Sequence, residues 1–340
     1  MTSNHPKNSA EGYAERVLQG DRRALTRLIS WAENGDGRFP GALAALYPSL
    51  GRAWRVGITG PPGAGKSTLV NELALAMRRE DLEVGILAVD PSSPFTGGAL
   101  LGDRIRMEEL TGDQHVYIRS MASRKSHGGM ARAGVDACDV MDAFGMERIL
   151  IETVGVGQAE YDVMGACDTV VVVMCPGAGD GVQAMKAGIL EVADVLVVNK
   201  SDLAGAERLA DDLSEAVHTR AIRSDEWSGE VGSSWTVPVV LASAGKAQGV
   251  DEVLKAITSH RAMLDSRGPN GLEDARRKKR VAQVRRVIDE ELDARVWNTD
   301  ELGARVENAL AAGSTAYGIA SEVVDDLLRG AAFGMRSKES

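Results

Sequence analysis

Residues Gly60-Pro-Pro-Gly-Ala-Gly65-Lys66-Ser67 match the pattern GxxxxGK[ST], with an apolar, β-rich run before them and an amphipathic stretch after them. In that setting the glycines let successive backbone N–H groups curl around a β-phosphate at a helix N-terminus. Gly63, Ala64, Gly65 and Thr68 therefore join Lys66 and Ser67 as nucleotide-binding candidates. Lys66 can bridge β- and γ-phosphate oxygens, and Ser67 offers a hydroxyl to Mg²⁺. Further along, Asn199-Lys200-Ser201-Asp202 follows another apolar run and fits NKxD. A carboxylate at Asp202 can accept both the N1–H and the N2–H₂ of guanine, a donor pair that adenine lacks. Ser243-Ala244 fits the loop whose backbone N–H contacts guanine O6. The predicted ligands are GTP and GDP, with Mg²⁺.

A second cluster carries the switch chemistry. The run Arg148–Ile151 leads into Glu152-Thr-Val-Gly155-Val-Gly-Gln158, which places a carboxylate near Mg²⁺ and a glycine N–H where it can sense a γ-phosphate. Lys66, Glu152 and Gly155 are accordingly the candidate catalytic residues. In signalling GTPases a glutamine directly after the equivalent glycine orients the attacking water. That place holds Val156, and Gln158 comes two residues later, so intrinsic hydrolysis is expected to be slow and partner-dependent. Asp90 and Asp103 can join Ser67 and Glu152 around Mg²⁺, directly or through water, because the ion prefers hard oxygen ligands.

These residues need a scaffold, and the apolar patterning supplies one. Arg55–Thr59, Val84–Val89, His115–Ile118, Arg148–Ile151, Thr169–Met174, Val195–Val198 and Val237–Leu241 read as strands separated by amphipathic stretches. That alternation predicts an α/β fold with a doubly wound, mostly parallel sheet, the architecture of P-loop NTPases. Residues 1–50 form a helical extension, with two short helices over 12–33 broken at Gly20-Asp21; residues 51–262 form the nucleotide-binding domain. Residues 263–340 are expected to be helical, after a break at Gly268-Pro269-Asn270-Gly271. Leu272–Val296 carries Val281, Val284, Val287, Ile288 and Leu292 on one stripe, followed by helices near Asp300–Ala312 and Ser321–Leu328. A lone arm cannot bury that stripe, which calls for the rest of the chain or a second copy.

Composition narrows the partners. Lys and Arg total 39 against 49 Asp and Glu, a net charge of −10, which argues against nucleic acid and anionic membrane. The 3 cysteines have no CxxC spacing and read as reduced core residues of a cytoplasmic protein. The N-terminus has no apolar signal region, and no apolar run is long enough to span a bilayer.

The run from Val89 to Met107, Asp-Pro-Ser-Ser-Pro-Phe-Thr-Gly-Gly-Ala-Leu-Leu-Gly-Asp-Arg-Ile-Arg within it, together with Glu152–Gln158 and Pro176-Gly-Ala-Gly-Asp180, resembles the MeaB/ArgK group of the SIMIBI class of P-loop GTPases. The resemblance implies a homodimeric G-protein chaperone of an adenosylcobalamin-dependent acyl-CoA mutase. It would gate cofactor delivery from an adenosyltransferase and promote release of damaged cofactor. By the same resemblance Asp90, Asp103 and Glu152 are the Mg²⁺ and switch carboxylates. Pro176–Gly188 is an additional switch loop, in which Gln183 and Lys186 report nucleotide state to the mutase. The stretch Ser123–Gly129 departs from the family's pattern at Lys125 and Ser126, and no role is carried over to it. Two other readings compete. A metallochaperone GTPase delivering nickel, cobalt or zinc would need a His-rich tract or Cys/His cluster, whereas the 5 histidines are scattered. A kinase would usually read ATP, which NKxD disfavours.

Overall fold

The computed structural model describes residues 8–90, 108–122, 127–153, 164–177, 192–228, 235–267, 271–292 and 300–328. Among them lie β1 (Trp54–Thr59), β2 (Val84–Asp90), β3 (Val116–Ala122), β4 (Arg148–Thr153), β5 (Thr169–Met174), β6 (Val195–Val198) and β7 (Val239–Leu241). They form one sheet in the order β3-β2-β4-β1-β5-β6-β7, with each neighbouring pair parallel. Strands β2, β5 and β6 are nearly continuous apolar runs because both faces of the sheet are covered. Alternation along the strands divides the core. Ile149, Ile151, Val170 and Val172 pack on one side, and Leu150, Val171 and Val173 on the other.

The second face receives α4 (Lys66–Arg79), whose Leu69, Val70, Leu73 and Met77 are buried, and α8 (Val250–Ser266) through Val253 and Ile257. The first face is covered by α1 (Ala10–Leu18), α2 (Arg22–Asn34), α3 (Phe39–Leu46), α6 (His127–Phe144) and α7 (Ala206–Ser228). A short helix α5 (Glu108–Thr111) precedes β3. The amino-terminal helices are well terminated. Ser9 caps α1 through its hydroxyl, Asp21 caps α2 by accepting from the N–H groups of Arg23 and Ala24, and Gly35 ends α2 in the left-handed conformation. Helix α3, with Pro40 in its first turn, adds a third helix where the spacing over residues 12–33 indicated two.

Two buried ionic clusters tie the amino ends of the strands together. The Asp142 carboxylate, at the end of α6, accepts the N–H groups of Gly51, Arg52 and Ala53 just before β1. Arg276 donates to both oxygens of Asp168 at 2.8 and 2.6 Å and to the carbonyls of Gly51 and Ala53 at 2.5 and 2.7 Å. Its guanidinium also lies over the ring of Trp54. The three cysteines are buried and free, and desolvation pushes the Cys138 thiol up to about 12.

Several boundaries differ from the sequence reading. Strand β3 extends through Ala122 because Arg119, polar by type, reaches back to Glu33 on α2 instead of marking an exposed end. Strand β7 starts only at Val239. The helix expected over Leu272–Val296 is α9 (Gly271–Leu292), followed by α10 (Asp300–Ala311) and α11 (Ala316–Leu328). The chain divides into two compact units, residues 1–276 and 277–340. Within the second, Leu302, Ile319 and Val323 make a small core and Arg305 pairs with Asp326 at 2.7 Å. In its part of α9, Val281, Val284, Ile288 and Leu292 are exposed. No helix among the described residues is long and apolar enough to cross a membrane.

Candidate nucleotide site

The site lies at the carboxyl ends of the strands. From β1 the chain turns through Gly60, at φ +140°, where a Cβ would stand 2.1 Å from the Val173 carbonyl oxygen of β5. The loop closes at Gly65, the N-cap of α4, at φ +88°. Only glycine allows both the close approach and the left-handed turn. The outcome is a helix N-terminus whose first N–H groups have no partner within the helix and face the place an anion would take.

Side chains complete this cradle. The Lys66 ammonium is held inside the loop by the carbonyls of Gly60 and Pro61, at 2.8 and 3.0 Å. The Ser67 hydroxyl donates to Glu152 Oε1 at 2.6 Å. Glu152 reaches it because β4 lies beside β1 with Glu152 opposite Ile58. One residue on, the Thr153 hydroxyl donates to that of Thr59 at 3.0 Å, pinning the ends of the two strands together. A cleft of about 280 Å³ is lined by Gly63, Gly65, Lys66, Ser67, Thr68, Glu152 and Lys200. Every one of these seven was singled out by its motif. A hydroxyl and a carboxylate in hydrogen-bond contact beside a lysine form a hard-oxygen donor pair that suits Mg²⁺ next to a phosphate. Asp90 ends β2, two residues beyond Ala88, which lies opposite Glu152. Asp103, Gly155, Gln183 and Lys186 lie outside the described residues, as do Lys125 and Ser126.

The base loops are braced against the phosphate loop. Asn199, 2 % exposed, donates from Nδ2 to the Ala64 carbonyl at 2.8 Å and accepts the Ala244 N–H on Oδ1 at 3.0 Å. The Ala244 N–H, in the loop whose backbone N–H is expected to contact guanine O6, is thus engaged by Asn199, and a base oxygen would have to share it. Lys200, at φ +57°, extends its ammonium to the Gly63 carbonyl at 2.7 Å. Asp202 Oδ1 accepts the Ser243 hydroxyl at 2.7 Å, and Oδ2 pairs with the Lys246 ammonium at 3.0 Å. These contacts, the Ser243 hydroxyl foremost, hold the Asp202 carboxyl well below the usual range, at about 2. Lys246 was missed by sequence reasoning. Its only signal was a position three residues after Ser243, where a lysine reads as an ordinary solvated residue.

The family model described as methylmalonyl Co-A mutase-associated GTPase MeaB matches residues 25–301. The chain belongs to that family. It is 47% identical over 274 residues to a Pyrococcus abyssi protein whose GTPase name is provisional, covering 81% of this chain and 82% of that one. It is 34% identical to the Escherichia coli GTPase ArgK over 284 residues, 82% of this chain and 83% of the relative. Among solved structures, a LAO/AO transport system kinase superposes with a TM-score of 0.69 at 25% identity, covering 96% of this chain and 100% of that one. As a MeaB-family protein the chain is a GTPase, and the cleft at Lys66 and Ser67 is where its motifs locate the nucleotide phosphates.

Proposed function

We propose that this MeaB-family GTPase is a G-protein chaperone of an adenosylcobalamin-dependent acyl-CoA mutase. In this role GTP binding and hydrolysis would gate cofactor loading and the release of damaged cofactor. The observation that carries the reading is the joining of the phosphate and base loops through Asn199 in a family described as mutase-associated. Such a joint ties together the loops expected to hold the nucleotide's two ends, a link that a nucleotide-dependent switch would use.

In hydrolysis, water attacks the γ-phosphorus, the bond to the β–γ bridging oxygen breaks, and GDP and phosphate leave. Lys66 would exchange the carbonyls of Gly60 and Pro61 for β- and γ-oxygens and hold the charge that grows there. Ser67 and Glu152, with Asp90 and Asp103, would hold Mg²⁺, which neutralises phosphate charge when bound. Asp202 would select guanine, and the Gly155 N–H would register the γ-phosphate. With valine at 156, water positioning would be left to a partner, so the intrinsic rate is expected to be slow. Gln183 and Lys186 would carry nucleotide state to the mutase, with an adenosyltransferase as cofactor donor. The exposed stripe of α9 supports homodimerisation. Ile288→Glu in the full chain should then give a monomer by light scattering, whereas an unchanged dimer would move the interface elsewhere. A cytoplasmic setting is part of the same reading.

The mutase reading is tested by size-exclusion chromatography of the chain with a candidate mutase under GDP and under a non-hydrolysable GTP analogue. Co-elution that depends on the nucleotide supports it. No complex with any cobalamin-dependent mutase would overturn it and bring back delivery of nickel, cobalt or zinc.

A further inference from the structure

We propose that Lys246 is a positioning residue for guanine selection, holding the Asp202 carboxylate in the plane that the base edge must meet. The inference rests on reading Asp202 as the guanine acceptor.

Two donors of guanine must meet two oxygens of one carboxylate at once, so the torsion of that carboxylate decides whether both bonds form. An aspartate on a surface loop normally samples a broad range of this torsion. Here each oxygen has its own tether, Oδ1 to the Ser243 hydroxyl and Oδ2 to the Lys246 ammonium. Each carboxylate oxygen has two acceptor directions, so one tether apiece leaves one apiece for the base. The carboxylate is thereby oriented before the nucleotide arrives, and less freedom is lost on binding.

The turn that presents Lys246 is built for a fixed placement. Ala244–Lys246 is a single 3₁₀ turn, closed by the Lys246 N–H on the Ser243 carbonyl at 2.9 Å. Ser243 and Gln248 exchange backbone hydrogen bonds at 2.9 and 3.2 Å across its base. Ala247 sits at φ +51°, a conformation costly for a residue with a Cβ. Among the described residues, non-glycine residues at positive φ are Asp81, Lys200 and Ala247, and the last two bracket the Asp202 site. Strain kept at both flanks of one carboxylate fits a requirement for placement more than for stability. The exposure of the Lys246 side chain, 55%, agrees, since an open ion pair adds little to fold stability.

The test measures steady-state GTP hydrolysis and thermal unfolding for wild type, Lys246→Met and Lys246→Arg, with Asp202→Asn assayed on GTP and XTP as the control for the site. Lys246→Met should raise KM for GTP about threefold at low salt, with kcat within twofold and little change in melting temperature. The deficit should shrink in about 1 M KCl, where the pair is screened in wild type as well, and Lys246→Arg should restore most of it. An unchanged KM at low salt, or equal defects in the Met and Arg variants, would overturn the positioning role. If Asp202→Asn shifts preference towards XTP while Lys246→Met does nothing, that role alone falls. If Asp202→Asn leaves the preference unchanged, the reading of the guanine site fails and the inference with it.

Discussion

Asn199 Nδ2 stands 2.8 Å from the carbonyl oxygen of Ala64, so a residue of the base-recognition motif is hydrogen-bonded to the phosphate loop 135 positions earlier. Its other amide atom accepts from Ala244, and the three loops that should surround a nucleotide are thereby fastened to one buried side chain. The arrangement makes Asn199 a structural brace of the site, not only a possible contact to the base.

Replacing Asn199 with alanine should therefore act at a distance. The Ala64 carbonyl and the Ala244 N–H would both lose their partner in a buried place, at about 1–3 kcal/mol each. We expect GDP affinity to fall by about tenfold or more, with a lower melting temperature. Fluorescent-GDP titration beside thermal unfolding checks both; an unaltered affinity would mean that the loops hold their places without the brace.

Lys66→Ala should remove productive GTP turnover while the fold survives. The side chain is buried, but its bonds go to carbonyls of its own loop, so truncation costs local order more than core packing. Phosphate release should drop by about a hundredfold or more with the circular-dichroism spectrum unchanged. Turnover at the wild-type rate would exclude this cleft as the catalytic one.

Asp202 makes two linked predictions. Its asparagine variant should lose guanine selectivity and gain xanthine nucleotides, whose edge is complementary to an amide. In wild type the carboxyl is held down at about 2, below its unfolded value, so the ionised form and whatever stability it brings are present above the unfolded pKa. They are lost only as pH falls through the folded value. The ratio of GDP to ADP affinity, in which phosphate ionisation cancels, should then stay flat from about pH 8 to pH 5. A midpoint within that window would assign guanine selection to a different group.

At the opposite end of the sheet, Arg276→Met should destabilise the chain by about 3–5 kcal/mol, because it removes the guanidinium from the buried Asp168 carboxylate and leaves that charge with the Arg55 backbone N–H. Urea denaturation measures it. Destabilisation below about 1 kcal/mol would show that the pair behaves like an exposed one.

Much of this was legible from the chain. The strands announced themselves because a parallel sheet covered on both faces needs unbroken apolar runs such as Thr169–Met174. The motif residues were legible because phosphate binding restricts backbone and side-chain type together, as at Gly65, Lys66 and Ser67. What escaped were polar residues whose partners are far away in sequence. Asp142 carried no signal in the sequence and Arg276 lies in a charged helical stretch, yet both serve the residues before β1. Arg119 lies just past the expected end of a strand that it continues, because its partner Glu33 is far away in sequence, on α2. Lys246 is of the same kind, since periodicity and short motifs contain no record of a pairing 44 residues away, with Asp202.

The most direct test of the central claim is GTP hydrolysis by the purified protein, alone and with each candidate cobalamin-dependent acyl-CoA mutase, using ATP as control. Turnover of the free protein should lie well below about 1 s⁻¹, with preference for GTP over ATP and stimulation by one mutase. Fast turnover by the protein alone, or a slow rate that no mutase changes, would contradict that claim.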